Sequence, residues 1–400
     1  MKALLVSEAG MDPVLGFVEP FVHFLADQGI EVHYAYGGQG NDRLQSLVDF
    51  VHSRGGKTLN LAIGNRPALL DFRALRDLRA FVGYVRPDVI HSHGAKAGVL
   101  ARALPPLGVH TPQIYQPHDY PGMRERPSLH RVCSDVIERL LGRWSTTVNI
   151  SADEHAYAVR RLRLPAIRTV SFTHGIDTGH FHPVSATEKG HLRSRLGLPT
   201  QGRILGTLSA SVPQKDPLTI YKAFAAALAH EPDLFLLHVG CGELDAQLDR
   251  FIARSWLVGR IIRVPTLPNP VDFHRAIDGF ILASGDEGLS PAVMEAMSCN
   301  LPLFLSDSPG HQELQKLPLT HLRVARTGDF LSFARAILAW CTETPALCNH
   351  RACAVQYFDS RDTYANILSL YRRLQPVTWI DATPAPAFTS SSSGPRQALG

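Results

Sequence analysis

A long apolar run is what this 400-residue sequence most plainly lacks: no uninterrupted stretch approaches the ~18–20 residues that span a bilayer, so no transmembrane helix is expected. The start, MKALLVSEAG, offers four apolar residues before Ser7 and Glu8, too few for a signal-peptide core, which points to a soluble, cytoplasmic chain. Its six cysteines include no C-x2-C pair, which argues against a structural zinc site and, in a cytoplasmic chain of this size, against a disulfide framework. Charge of one sign is scarce too: 40 Lys and Arg against 36 Asp and Glu leave +4, too mild to mark a nucleic-acid binder. No G-x-G-x-x-G follows the first apolar run and no acidic residue closes the second, which disfavours an NAD-dependent oxidoreductase.

What is present is an alternation. KALLVSE reads as a strand, and Phe17, Phe21, Phe24 and Leu25 recur at helical spacing until Gly29, after which EVHYAY begins a second strand. RALRDLRAFVGYVR, PDVIHSH, AKAGVLARAL and PQIYQPH continue the pattern, which implies parallel strands with crossover helices. Near residue 200 it restarts with GRILGTLS and runs through DPLTIYKAFAAALAH, LFLLHVG, FILAS and LPLFLS. The chain is longer than one core usually serves, so two doubly wound α/β domains are the expected fold class.

The expected divisions are a first Rossmann-like domain over 1–170, a linker over 171–199, and a second Rossmann-like domain over 200–356. A helix over 357–375 would cross back to the first domain, and a tail over 376–400, rich in Pro, Ser and Ala, would be disordered. The linker carries no long periodic run, which suits a hinge.

In doubly wound sheets ligands bind beyond the carboxyl ends of the strands. FILAS ends at such a place and is followed by GDEGLSPAVMEAMSCN. Ser290 reads as an N-cap and Pro291 as a first helical residue, so the free amides and positive end of this helix form a site for phosphate or diphosphate. Glu295 falls on the fifth helical residue, about 7.5 Å along the axis, and Glu287 lies three residues before the cap. Their carboxylates suit the hydroxyls of sugars on either side of an anion. The alternative is that Glu295 answers the helix dipole and Glu287 is a polar loop residue.

Lys215, in SASVPQKDP, stands just before another helix, where a lysine supplies either a cation for the phosphates or a solvated surface group. His118 ends a strand and would face the cleft between the domains, or would be a satisfied core residue. His91, His93, His174, His180 and His182 have no Cys or carboxylate at a ligand spacing, so structural roles are preferred and no metal site is expected.

Together these segments resemble the family 4 glycosyltransferases over about residues 1 to 375. The specific feature is E-x7-E, Glu287 to Glu295 within EGLSPAVMEAMSCNLPLFLSD, supported by LLHVGCGE, PQKDP, HGIDTGHFHP and RPDVIHSHGAKAGVLARAL. The resemblance implies the GT-B fold, two Rossmann-like domains facing a central cleft with the first on the acceptor side. It also implies a retaining transfer from a nucleotide-diphosphate sugar, without a metal or other cofactor. On that pattern Lys215 would hold the diphosphate, Glu295 the ribose hydroxyls, and Glu287 the hydroxyls of the donor sugar near its reacting carbon. The amides of Gly288, Leu289 and Ser290 would bind phosphate, and His118 would line the acceptor side.

Three departures stand out. The arginine common several residues before the phosphate lysine is absent from GTLSASVPQK, the glycine pair after the first strand is reduced to Gly16, and Asn300 replaces a helix-ending glycine. Asn tolerates the left-handed cap, so the last is neutral.

RPDVIHSHGAKAGVLARAL is most similar to bacterial enzymes of capsule, O-antigen or exopolysaccharide assembly, so the expected partners are a nucleotide sugar and a saccharide or lipid-linked acceptor, with no nucleic acid. The arginine-rich stretches RALRDLRAFVGYVR, MRERPSLHR and RRLRLPAIR suit peripheral attachment to an anionic inner membrane face, or are a solvated surface. A non-catalytic GT-B scaffold and a cytoplasmic glucan or sucrose-type synthase are the competing readings.

Overall fold

The computed structural model describes residues 1–8, 12–38, 42–61, 63, 70–124, 129–172, 175–253, 256–267, 269–285, 287–343 and 348–374. The expected tail over 376–400 and His174 lie outside the described residues.

Seven parallel strands form the first sheet: β1 (Lys2–Glu8), β2 (Glu31–Gly37), β3 (Thr58–Leu61), β4 (Val89–His93), β5 (Gln113–Gln116), β6 (Thr146–Asn149) and β7 (Thr169–Ser171). Their order is β3-β2-β1-β4-β5-β6-β7. Six more form the second: β8 (Arg203–Leu208), β9 (Leu234–Val239), β10 (Ile261–Val264), β11 (Gly279–Leu282), β12 (Leu303–Ser306) and β13 (Leu322–Ala325), in the order β10-β9-β8-β11-β12-β13. Ala3 to Ser7 in β1 and all of β4 and β11 are buried, the continuous burial that helices on both faces impose on parallel strands. Two doubly wound domains are thus as the alternation predicts, and in each the order reverses beside the first strand, between β1 and β4 and between β8 and β11.

The helix Ser360–Leu374 returns to the first domain. Tyr364 packs at 5.5 Å from Phe17 and 5.2 Å from Phe21 of the helix Asp12–Asp27, while the Tyr371 hydroxyl lies 2.8 Å from His91 Nδ1. The two chain crossings between domains are joined: Ile176 N donates to Phe358 O and Ser360 N to Ile176 O, each at 2.8 Å. Gly175 has no room for a side chain there, since a Cβ would stand 2.5 Å from Ser360 Cα.

The segment 171–199 is not all hinge. It contains the helix Ala186–Arg195, whose capping box joins Ser185 and Glu188. Lys189 Nζ and the Arg193 guanidinium both bind the Asp278 carboxylate, tying this helix to the second domain. Such a helix is held by ion pairs instead of an apolar stripe, so apolar periodicity does not reveal it.

Candidate active site

The second domain's reversal point is built from the loops after β8 and β11. After β11 the chain runs through residues 283–290 and enters the helix Pro291–Ser298. Ser290 occupies the N-cap with extended backbone, φ −70° and ψ 131°, and Pro291 begins the helix, as expected, but the Ser290 side chain makes no capping bond to it. The Val293 and Met294 amides bond instead to the Ser290 carbonyl, a tight first turn. The amides of Gly288, Leu289 and Ser290 donate to no other described residue. This peptide is pinned from behind: Gly310 N donates to Glu287 O at 2.9 Å, and a Cβ on Gly310 would stand 2.0 Å from the Gly288 carbonyl carbon. Gly310 therefore permits the close approach that sets the loop, and no spacing in the sequence pointed to it.

Lys215 ends the 3-10 turn Pro213–Lys215, just before Asp216, which caps the helix Pro217–Leu228 in a left-handed conformation at φ +43°. Gly285 N donates to Gln214 O at 2.9 Å and joins the two loops. Across that join Lys215 Nζ meets Glu287 Oε1 at 2.5 Å. Sequence reasoning treated these two residues separately; the structure makes them a pair. Glu287 Oε2 is buried with no partner, as are Ser284 Oγ and Ser308 Oγ on the loops after β11 and β12 and His311 Nε2 on the helix Pro309–Leu314. Burial holds the His311 pKa down against the pull of the Glu287 carboxylate, so this imidazole is neutral near pH 7.

Eight residues on, Glu295 Oε2 lies 3.0 Å from Nε2 of the fully buried His274 on the helix Pro270–Ala276. His274 is walled by the rings of Phe181, Phe273 and Phe280. It fixes the direction of Glu295, and nothing in PVDFHRAIDG singled it out. At the far end of the same helix Asn300 takes φ +59°, the left-handed cap its type allows.

From the first domain, His118 follows β5 in a left-handed conformation at φ +54° and is trailed by Asp119 at φ +101°. Its Nε2 lies 3.0 Å from His93 Nδ1, and its ring meets Phe17 edge-on at 5.2 Å. His93 and His91 are wholly buried, and burial drives both pKa values well down, so they are neutral supports behind His118. Structural roles suit them, as the sequence reading held.

A cavity of about 1010 Å³ between the domains brings Gly16, His118, Gly288, Leu289 and Glu295 to one wall system. Gly16 sits inside the first helix, and a Cβ there would meet nothing within 4 Å, so it opens space toward the cavity. Lys215, Glu287 and Ser290 do not line this cavity. A shallower depression of about 300 Å³ lies over the carboxyl ends of β8, β9 and β10, between Ser209, Gly240, Cys241 and Thr266. The VGCGE turn shapes it: a Cβ on Gly240 would strike Ser209 O at 2.0 Å. The cations in the main cavity wall are engaged, Arg43 with Glu19 and Arg361 with Asp359. Among the described residues no group of His, Cys, Asp and Glu is arranged to hold a metal ion.

Two facing Rossmann-like sheets, with a helix N-terminus, a lysine and two carboxylates at the second reversal point, define the GT-B class. Residues 17–175 match the Glycosyl transferase 4-like domain and 188–351 match Glycosyl transferases group 1. The chain belongs to the family 4 glycosyltransferases. Solved structures share the fold: a glycosyltransferase from Rickettsia africae has a TM-score of 0.76 at 14% identity, covering 93% of this chain and 98% of that one. Anabaena HepE, in complex with UDP-glucose, has a TM-score of 0.71 at 21% identity, covering 92% and 100%. A curated relative is the UDP-Gal:alpha-D-GlcNAc-diphosphoundecaprenol alpha-1,3-galactosyltransferase of Escherichia coli, 23% identical over 257 residues. That alignment spans 63% of this chain and 66% of the relative, so the chain spans just under two thirds of its length.

Proposed function

We propose that the protein transfers a hexose from a nucleoside-diphosphate sugar, with retention of configuration, to a saccharide or lipid-linked saccharide acceptor in cell-surface glycan assembly. The observation that carries this reading is the open run of amides at Gly288 to Ser290 beside Lys215, within a helix start flanked by Glu287 and Glu295. The diphosphate takes the amides and the helix N-terminus, and Lys215 turns from Glu287 to the phosphates. That exchange releases Glu287, whose unpaired Oε2 already marks a demand for hydroxyl donors, to bind the donor sugar. Glu295, steadied by His274, receives the ribose hydroxyls.

As the bond from the sugar C1 to the β-phosphate oxygen breaks, negative charge gathers on the diphosphate. Lys215 and the helix end stabilise it, so the reading requires no metal ion. The acceptor hydroxyl attacks C1 from the same face and passes its proton to the departing phosphate oxygen. His118 stands on the acceptor side, held by His93. UDP-galactose and a diphosphoundecaprenol-linked GlcNAc in the name of the E. coli relative support the donor and acceptor classes.

Calorimetry against a panel of UDP- and GDP-sugars, paired with a nucleoside diphosphate release assay, tests the proposal. Binding of one donor, with release accelerated by a glycan acceptor, is the expected result. Binding of no nucleotide sugar would overturn it in favour of a scaffold.

A further inference from the structure

The helix Leu129–Leu141 is turned the wrong way round for a globular surface. Its carboxylates face inward: Glu138 accepts from buried Arg102 at 2.8 and 3.1 Å and from the Tyr115 hydroxyl at 3.0 Å. Asp135 accepts from Tyr157 at 2.6 Å and from Arg161 at 3.0 Å. The opposite face is apolar and exposed, with Leu129, Val132, Val136, Ile137 and Leu140 at helical spacing and Trp144 in the turn beyond. Leu129 is 80% exposed and Leu140 50%, so this face is not a core stripe seen edge-on. A continuous apolar strip along a 13-residue helix, about 20 Å long, is more than scattered surface apolarity accounts for.

The strip has a basic border. Arg139 bonds to Leu162 O at 3.1 Å and Arg168 to Arg143 O at 2.6 Å, which sets the helix against the segment 157–168. Arg139, Arg143, Arg160, Arg163 and Arg168 are exposed, and Ile167 among them is 91% exposed. Across residues 129–172 the one exposed carboxylate is Asp153, because Asp135, Glu138 and Glu154 are buried. Apolar side chains framed by arginines match a surface that offers acyl chains beneath a layer of negative headgroups.

We infer that this face docks the first domain onto an anionic phospholipid bilayer, with the apolar strip entering the interface and the arginines holding the phosphates. The segment from Ile150 links the two places: Ile150, Ser151 and Glu154 line the cleft, and the same stretch continues to Arg160 and Arg161 at the border. A lipid-linked acceptor in the bilayer would thus lie beside the cleft. That last link rests on the transferase reading, whereas the docking itself does not.

The test is co-sedimentation of the full chain with phosphatidylglycerol-rich vesicles and with pure phosphatidylcholine vesicles, at low and high salt and without donor. Expected is partition to the anionic vesicles, weakened by salt and reduced on the order of tenfold or more in Val132→Glu/Leu140→Glu and less in Arg143→Ser/Arg160→Ser. Leu140→Ser serves as a milder variant if the double substitution fails to fold. Nucleoside diphosphate release with a water-soluble acceptor should be unchanged in all of them, which separates this inference from the activity. Wild-type protein that stays in solution with anionic vesicles at low salt would overturn it. So would variants that sediment like wild type, or a stable dimer that Val132→Glu/Leu140→Glu dissolves while vesicle binding is absent.

Discussion

Each domain ends a strand of its reversal point at a helix N-terminus, and the two are finished in opposite ways. In the first domain β4 leads through Gly94 into the helix Ala95–Arg102, and the amides of Lys96 and Ala97 donate to the Glu8 carboxylate at the end of β1. Gly94, at φ +87°, leaves room for this, since a Cβ there would stand 3.2 Å from that carboxylate. In the second domain β8 ends in Leu208, the Ser290 side chain does not cap its helix, and a lysine stands nearby. An anion site filled by the chain's own carboxylate cannot take a phosphate; one left open can. Under the proposed function the diphosphate would take the open end in the second domain, and the first domain would be left for the acceptor.

Removing the cation from the open site should produce the largest effect. Lys215→Ala is expected to lower kcat/KM by on the order of 10² to 10³, about 3–4 kcal/mol of lost transition-state stabilisation, as for one oxyanion-type donor. Some stability should be lost as well, because the largely buried Glu287 carboxylate is left without its cation. Steady-state release kinetics with a melting curve check both halves of the statement. Full activity in this variant would erase the distinction between the two helix ends.

Acid should loosen the back of the open site. His350 Nδ1 lies 2.7 Å from Leu301 O, just beyond Asn300 at the far end of the Pro291–Ser298 helix, and burial lowers the His350 pKa from 6.5 to about 4. A histidine with a depressed folded pKa contributes stability that is present above its unfolded value, near 6.5, and lost as pH falls toward about 4. The full shift is worth about 3 kcal/mol. Denaturant titrations at neutral and acid pH should show this loss, and His350→Gln should flatten part of the slope. His91 and His93, depressed in the same direction by burial, should add to it from the first domain, so the remaining slope reports the opposite side of the comparison.

The strands and the E-x7-E helix were legible because their signals are local: apolar runs of strand length, Ser-Pro before a helical stretch, carboxylates at fixed spacing. The helix Ala186–Arg195 escaped apolar periodicity because Asp278, more than eighty positions away, holds it. His274 behind Glu295, Gly310 behind Gly288 and Glu8 over Lys96 were illegible for the same reason: each acts through a contact that only the folded chain creates. The polar inner face of Leu129–Leu141 reads in sequence as an ordinary exposed face until Arg102 and Tyr115 are placed against it.

The smallest effect tests the closed site. Glu8→Ala leaves the Lys96 and Ala97 amides without their acceptor and should cost about 1 kcal/mol of stability, as for a lost N-cap. Glu8→Gln should behave differently. Burial raises the Glu8 pKa, and the two amide bonds only partly counter it. A carboxyl with a raised folded pKa contributes stability that is present below its unfolded value of 4.5 and lost as pH rises through the folded value, so at neutral pH the ionised group is a net burden. Glutamine keeps an acceptor oxygen for the amides and sheds the charge. At pH 7 it should therefore equal or slightly exceed wild type in a denaturant titration, while at acid pH that advantage disappears. Donor affinity by calorimetry should stay within about twofold in both variants, since the open helix lies in the other domain. A loss of donor binding in Glu8→Gln comparable to that of Lys215→Ala would mean that the carboxylate takes part in nucleotide recognition, and the division of labour between the two helix ends would fail.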